Sequence, residues 1–128
     1  MAEPIVFISR FRVAGGKRNE WIAAFAKGVD MIGGSKPQTA LFAAYLDSTG
    51  TETKIIHAFP DAAALARHFE GSDERSSSLA GLIELAGFEV YGPAPEAALD
   101  QLRREAAAAG VRLDVFPEAI GGFLRAPA

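Results

Sequence analysis

The stretch from His57 to Glu70 constrains this chain more than any other. An apolar run ends in His57-Ala58-Phe59, turns at Pro60, and passes directly into a helix that Asp61 is placed to cap. About twenty residues later, Phe88-Glu89-Val90-Tyr91-Gly92 reads as another short strand. Together with the segments before His57, the order is β-α-β-β-α-β, a split βαβ arrangement. Such an order names a scaffold and leaves its substrate open.

The flanking segments fill in that order. In the first strand, residues 4–13, Ile5, Phe7, Ser9, Phe11 and Val13 share one face, and Val6, Ile8, Arg10 and Arg12 share the other. Both faces begin apolar, which predicts cover on two sides. Gly15-Gly16 breaks the strand. From Lys17 to about Ile32, Ile22, Phe25, Val29 and Ile32 recur at helical spacing with Trp21 in the same arc, and Gly33-Gly34-Ser35 is expected to stop the helix. Strands are expected over residues 39–47 and 52–59, joined by the polar loop Ser48-Thr49-Gly50-Thr51. The second helical region carries Ala62, Leu65, Ala66 and Phe69, then Gly71 interrupts it. Ser72 is expected as a new N-cap, with Leu79, Leu82, Ile83 and Ala86 as the next apolar stripe. Gly87 releases the chain into the fourth strand.

This core, about residues 4–92, makes the expected fold α+β: a ferredoxin-like βαββαβ half-barrel with an antiparallel sheet. Residues 93–128 read as a C-terminal helix–strand extension. Its helix carries Leu99, Leu102, Ala106 and Ala109 and ends at Gly110; a strand comes next at residues 111–116, and a last extended piece at Gly121–Arg125. Neither an internal repeat nor a low-complexity linker is present, so residues 1–128 are expected to form one domain. Phe42, Ala44 and Leu46 oppose Leu41, Ala43 and Tyr45 across the second strand, so the sheet face away from the helices should also be apolar. Exposed, it would cost roughly 25 cal/mol per Å². Pairing with a second copy removes that cost, and a homodimer is expected.

Charge and cysteine content exclude whole classes of chemistry. A net charge of −3 with scattered Lys and Arg argues against a nucleic-acid surface. No apolar run is long enough to span a membrane, and the N-terminus lacks the pattern of a signal peptide, so a cytoplasmic protein is the default expectation. There is no cysteine, and hence no disulfide, thiolate nucleophile or cysteine metal site. The two histidines lie eleven residues apart on different elements with no acidic cluster at ligand spacing, so no metal site is expected. Neither a phosphate loop nor a nucleophile elbow occurs.

Candidate chemistry therefore rests on a few polar residues in apolar settings. His68 falls at the edge of the helical stripe, where it is either a general base or a partly exposed helix histidine. His57 shares a strand face with Ile55 and Phe59, so it points inward as a base or as a hydrogen-bonded core residue. Arg10 and Arg12 can bind an anion, pair with carboxylates, or reach solvent. Trp21, Phe25, Tyr45 and Tyr91 can line an aromatic ligand cavity or belong to the core. Arg18 sits near the apolar arc of the first helix.

Several of these segments, taken together, resemble one family. Phe7-Ile8-Ser9-Arg10-Phe11-Arg12-Val13-Ala14-Gly15-Gly16-Lys17, Trp21-x3-Phe25, Asp61-x2-Ala64-Leu65-x2-His68-Phe69 and Glu89-Val90-Tyr91-Gly92 are similar to the antibiotic biosynthesis monooxygenase domain family. The resemblance covers about Pro4 to Gly92 and implies a dimeric α+β barrel. It further implies a cofactor-independent monooxygenase acting on a small quinol- or anthrone-like aromatic held between sheet and helices. His68 or His57 would be the base, with Arg10, Tyr45 or Tyr91 as donors. The rate would then rise near the titration of a histidine, around pH 6 to 7. Sister families degrade haem with an Asn on the first strand and a Trp and a His on the second helical region. Ser9 and Arg10 stand where that Asn would fall and the only Trp is Trp21, so haem chemistry is not implied. Two other readings fit the same scaffold: an isomerase or lyase using the same base, and a non-catalytic small-ligand-binding or stress-associated barrel.

Overall fold

A run of β-branched and aromatic residues with side chains alternating between two faces makes the first strand, β1 (Ile5–Val13), in the computed structural model, which describes residues 3–125. After β1 come α1 (Arg18–Ser35), β2 (Leu41–Leu46), β3 (Glu52–Phe59), α2 (Ala62–Phe69), α3 (Ser72–Ser77), β4 (Ile83–Tyr91), α4 (Glu96–Ala109) and β5 (Arg112–Phe116). The expected βαββαβ order with a helix–strand extension is observed. The strands form one sheet in the order β2-β3-β1-β4-β5. β1 pairs antiparallel with both β3 and β4, and β2 antiparallel with β3. β5 runs parallel to β4, so the five-stranded sheet is mixed rather than wholly antiparallel. α4 is the crossover that a parallel pair requires.

Register sorts the side chains into two faces. Phe42, His57, Phe7 and Val90 form one row of the inner face, and Ala44, Ile55, Ser9 and Phe88 the next. The core lies where β1, β3 and β4 meet α2 and α4. Ile5, Phe59, Leu65 and Val90 are essentially inaccessible there, and Leu99, Leu102 and Ala106 pack from α4. On the outer face Val6, Ile8, Ile56 and Ala58 are flanked by Leu41, Tyr45 and Phe116, which are 41%, 62% and 56% exposed. Among the described residues, no helix is long and apolar enough to cross a membrane.

Several sequence expectations are corrected. Gly33-Gly34-Ser35 does not stop α1, which runs through Ser35. Ile32 is buried and anchors the last turn, and the Lys36 N–H donates to the Ile32 carbonyl just before Pro37 ends the run. Ile22 and Val29 are 43% exposed; the inward face of α1 is instead Trp21, Phe25, Gly28 and Ile32, one residue's rotation away. Ala66 and Ala109 are exposed, whereas Ala64 and Ala98 are buried. Gly71, at φ 76°, caps α3, and Ser72 is its first helical residue. Leu79, Leu82, Ile83 and Ala86 are not a helical stripe, because α3 ends at Ser77 and β4 begins at Ile83. Gly121–Arg125 forms no strand, and residues 126–128 of the extension lie outside the described residues.

Candidate functional site

A cavity of about 700 Å³ lies between α1, the inner sheet face and the α2–α3–α4 side. Phe7, Ser9, Ile55, His57 and Phe88 form its floor. Trp21, Phe25 and Phe42 form one wall, and His68, Phe69, Arg75 and Leu102 face them. The volume is that of a small-molecule site and the lining is chiefly apolar, with several aromatic rings.

His57 is 5% exposed because β3 is a central strand and its inner face is covered. Its ring stacks on Phe7 at 4.7 Å, and Nδ1 donates to the Phe7 carbonyl at 3.0 Å. A carbonyl only accepts, so Nδ1 carries the hydrogen and Nε2 offers a lone pair. Burial pushes the pKa down to about 4, against the opposing pull of the Phe7 carbonyl, and the Arg75 charge adds to the lowering.

His68 occupies the last turn of α2, with its ring 5.0 Å from that of His57, edge to face. It is 4% exposed, so it is not the partly exposed helix histidine that its position in the stripe allowed. Nδ1 lies 3.0 Å from the Thr39 hydroxyl. Burial, and after it the nearby His57, Arg75 and Lys36, pushes its pKa down to about 3. Both rings are neutral at pH 7, and the histidine titration expected at pH 6 to 7 moves well below that range.

Arg75 was not singled out from sequence, yet it is the cation on the histidine side of this cavity, which Lys27 lines from α1. Its guanidinium donates to the Glu70 carbonyl at 2.9 Å and to the His68 carbonyl, staple-like across the α2–α3 joint. Two of its five N–H donors are thereby used. Among the described residues no carboxylate lies within ion-pair distance of it, and burial lowers its pKa. α3 has no apolar periodicity, so no sequence signal could have assigned Arg75 a face. Ser9 and Thr39 were also passed over as site residues. Ser9 is buried, and its hydroxyl makes no hydrogen bond within the described residues.

The structure separates the remaining candidates. Trp21 lines the cavity with its ring, while its indole N–H is fixed by the Thr53 hydroxyl at 3.1 Å. Arg10, Tyr45 and Tyr91 lie on the opposite face of the sheet, on the parity of Ile8, and do not meet the histidines. Arg10 sits 3.5 Å from Glu89, which accepts from the Tyr91 hydroxyl at 2.5 Å. That carboxylate raises the Tyr91 pKa. Tyr45 is mostly exposed; Arg12 pairs with Glu84 near the sheet end, and Arg18 leans on Gly50. Among the described residues, no three His, Asp or Glu side chains converge as a metal site would require.

No protein-family model matches the chain, and no curated protein matches it in sequence. Solved structures share its fold at low identity. MupZ from Pseudomonas fluorescens superposes with a TM-score of 0.67 at 19% identity, covering 96% of this chain and 95% of that one. SnoaB from Streptomyces nogalater, a cofactor-independent oxygenase, gives 0.59 at 18% identity, covering 70% of this chain and 92% of SnoaB. Rv0793 from Mycobacterium tuberculosis gives 0.59 at 18% identity, over 74% and 99% of the two chains. The α+β fold of the single chain is thus the one that the sequence resemblance implied, with MupZ matching into the C-terminal extension as well.

Proposed function

We propose that this scaffold, shared with a cofactor-independent oxygenase, works here as a monooxygenase on a small quinol- or anthrone-like aromatic bound in the 700 Å³ cavity. One observation carries the reading: two neutral imidazoles and the Arg75 guanidinium, which has no ion-pair partner among the described residues, meet in a largely apolar cleft that Lys27, Glu20 and Glu105 also border. Oxygenation without a cofactor needs the substrate to supply electrons as an anion, which requires a proton acceptor, a stabilising cation and exclusion of water. For an anthrone, a CH₂ group and O₂ become a carbonyl and water, with O₂ taking all four electrons.

His57 Nε2 or His68 Nε2 would accept the proton, and Arg75 would face the enolate or phenolate oxygen. Protonating an empty-site imidazole with a pKa near 4 costs about 3 kcal/mol relative to one in water. An anion formed a few ångströms away offsets that penalty, so the base works only in the presence of its substrate. Oxygen uptake by metal-free protein with anthrone and hydroquinone panels tests the reading. Turnover should be flat from pH 5 to 8, and His57→Ala or His68→Ala should lower it roughly a hundredfold. Arg75→Met should weaken binding of phenolate-like inhibitors more than that of neutral ones.

The same low histidine pKa values favour a second reading, a ligand-binding protein without catalysis. Saturable aromatic binding with no oxygen consumption would select it. Absence of both binding and uptake would overturn the assignment of the cavity.

A further inference from the structure

A second pocket lies on the other side of His68. It measures about 300 Å³ and is lined by the α1–β2 connection and the outward side of α2, including Lys36, Gln38, Thr39, Arg67 and Glu70. No residue lines both this pocket and the larger cavity. Among the described residues, one side chain–side chain hydrogen bond joins the two linings, that between Thr39 Oγ1 and His68 Nδ1 at 3.0 Å.

We infer that His68 and Thr39 form a proton conduit between the cavity that holds the two histidines and the pocket on the other side of α2. The inference rests on reading the cavity as a site of proton transfer, and it assigns the two histidines different tasks. His57 cannot pass a proton on, because its Nδ1–H ends at the Phe7 carbonyl, which holds no exchangeable hydrogen. His68 faces a hydroxyl instead, which both donates and accepts. In the outward step a cavity proton bonds to His68 Nε2 and the Nδ1–H passes to Thr39 Oγ1. The hydroxyl's own hydrogen leaves to water in the surface pocket. No net charge remains, and His68 is left as the other neutral tautomer. The reverse passage returns one proton to the cavity, where reduced oxygen needs it, and restores the first tautomer.

The charged and titratable groups that bear on His68 favour passage over storage. His57 from β3, Arg75 from α3 and Lys36 from the α1–β2 connection all oppose a lasting imidazolium. Lys36 is itself held by the Arg67 carbonyl at 2.7 Å and sits 4.0 Å from Glu70, so its charge stays beside the conduit's outer end.

The test is imidazole-nitrogen NMR of histidine-labelled protein, with no ligand needed. The His68 ring proton should exchange with water at least about tenfold faster than the His57 ring proton, which is equally buried. Thr39→Val keeps the shape, removes the hydroxyl, and should erase the difference; Thr39→Ser should preserve it. Equal exchange in the unaltered protein, or an unchanged His68 rate in Thr39→Val with a native amide spectrum, would overturn the conduit. Failure of oxygen uptake with exchange behaving as stated would sink the oxygenase reading and leave the conduit standing. Where turnover is found, Thr39→Val should lower kcat by about tenfold or more with KM little changed, and Thr39→Ser should recover most of it.

Discussion

At the scale of single residues, the two histidines link the cavity to the stability of the fold. A histidine in the unfolded chain titrates near 6.5, whereas the folded state holds His57 at about 4 and His68 at about 3. Above pH 6.5 both states carry neutral rings and nothing is lost. Below it the unfolded chain takes up protons that the fold refuses, so stability falls by up to roughly 1.4 kcal/mol per pH unit for each ring. The loss ends only when pH reaches about 4 for His57 and about 3 for His68. Urea denaturation should therefore show a lower midpoint at pH 5 than at pH 7. His68→Asn should roughly halve that dependence, since His57 supplies the rest, and an unchanged slope would contradict the assignment. Inward placement of His57 was legible, since it shares strand parity with Ile55 and Phe59. Separation of Arg10, Tyr45 and Tyr91 from it was not, because parity within a strand says nothing of which face a neighbouring strand presents until the register is known.

At the scale of elements, sequence reading succeeded where two signals coincided. Asp61 accepts from the Ala64 N–H at 2.9 Å, so cap, turn and strand end all agreed around α2. It failed where one signal stood alone. Two glycines weaken a helix by about 1 kcal/mol each, a cost of the same size as the roughly 1.5–3 kcal/mol that a buried Ile32 restores, and α1 continued through them. Spacing in the run from Leu79 to Ala86 fits a helix over two turns, but β1 and the start of β4 had backbone groups to satisfy in the sheet. Two substitutions probe the joints. Gly92 has φ 99°, and a Cβ there would meet the Pro4 carbonyl oxygen at 2.7 Å, so Gly92→Ala should cost about 2 kcal/mol or more in a urea melt. Leu102 is 3% exposed in α4 and also lines the cavity; Leu102→Ala should cost roughly 2–5 kcal/mol. It should enlarge the site as well, so that bulkier aromatics gain affinity. A neutral effect of Leu102→Ala would mean that the extension does not hold the core together.

At the scale of the whole molecule, the sheet has one face filled and one face open. Val6, Ile8, Ile56 and Leu41 lie together on the open side, and stacking two such faces about 10 Å apart is the expected way to cover them. Light scattering should give a dimer at micromolar concentration and Ile8→Lys a monomer; a monomer without the substitution would refute the expectation. The cavity lies on the other side, and its walls are unequal. α2 and α4 are pinned by buried side chains, but α3 buries none, and it is tethered chiefly by the Arg75 staple and by Gln101 donating to Ser72 at 2.8 Å. Amides of Ser72–Ser77 should exchange faster than those of α2 and α4. The consequence is one of time: of the helices on that side, the six-residue α3 should be the first to loosen, while α2, α4 and the sheet beneath it keep still.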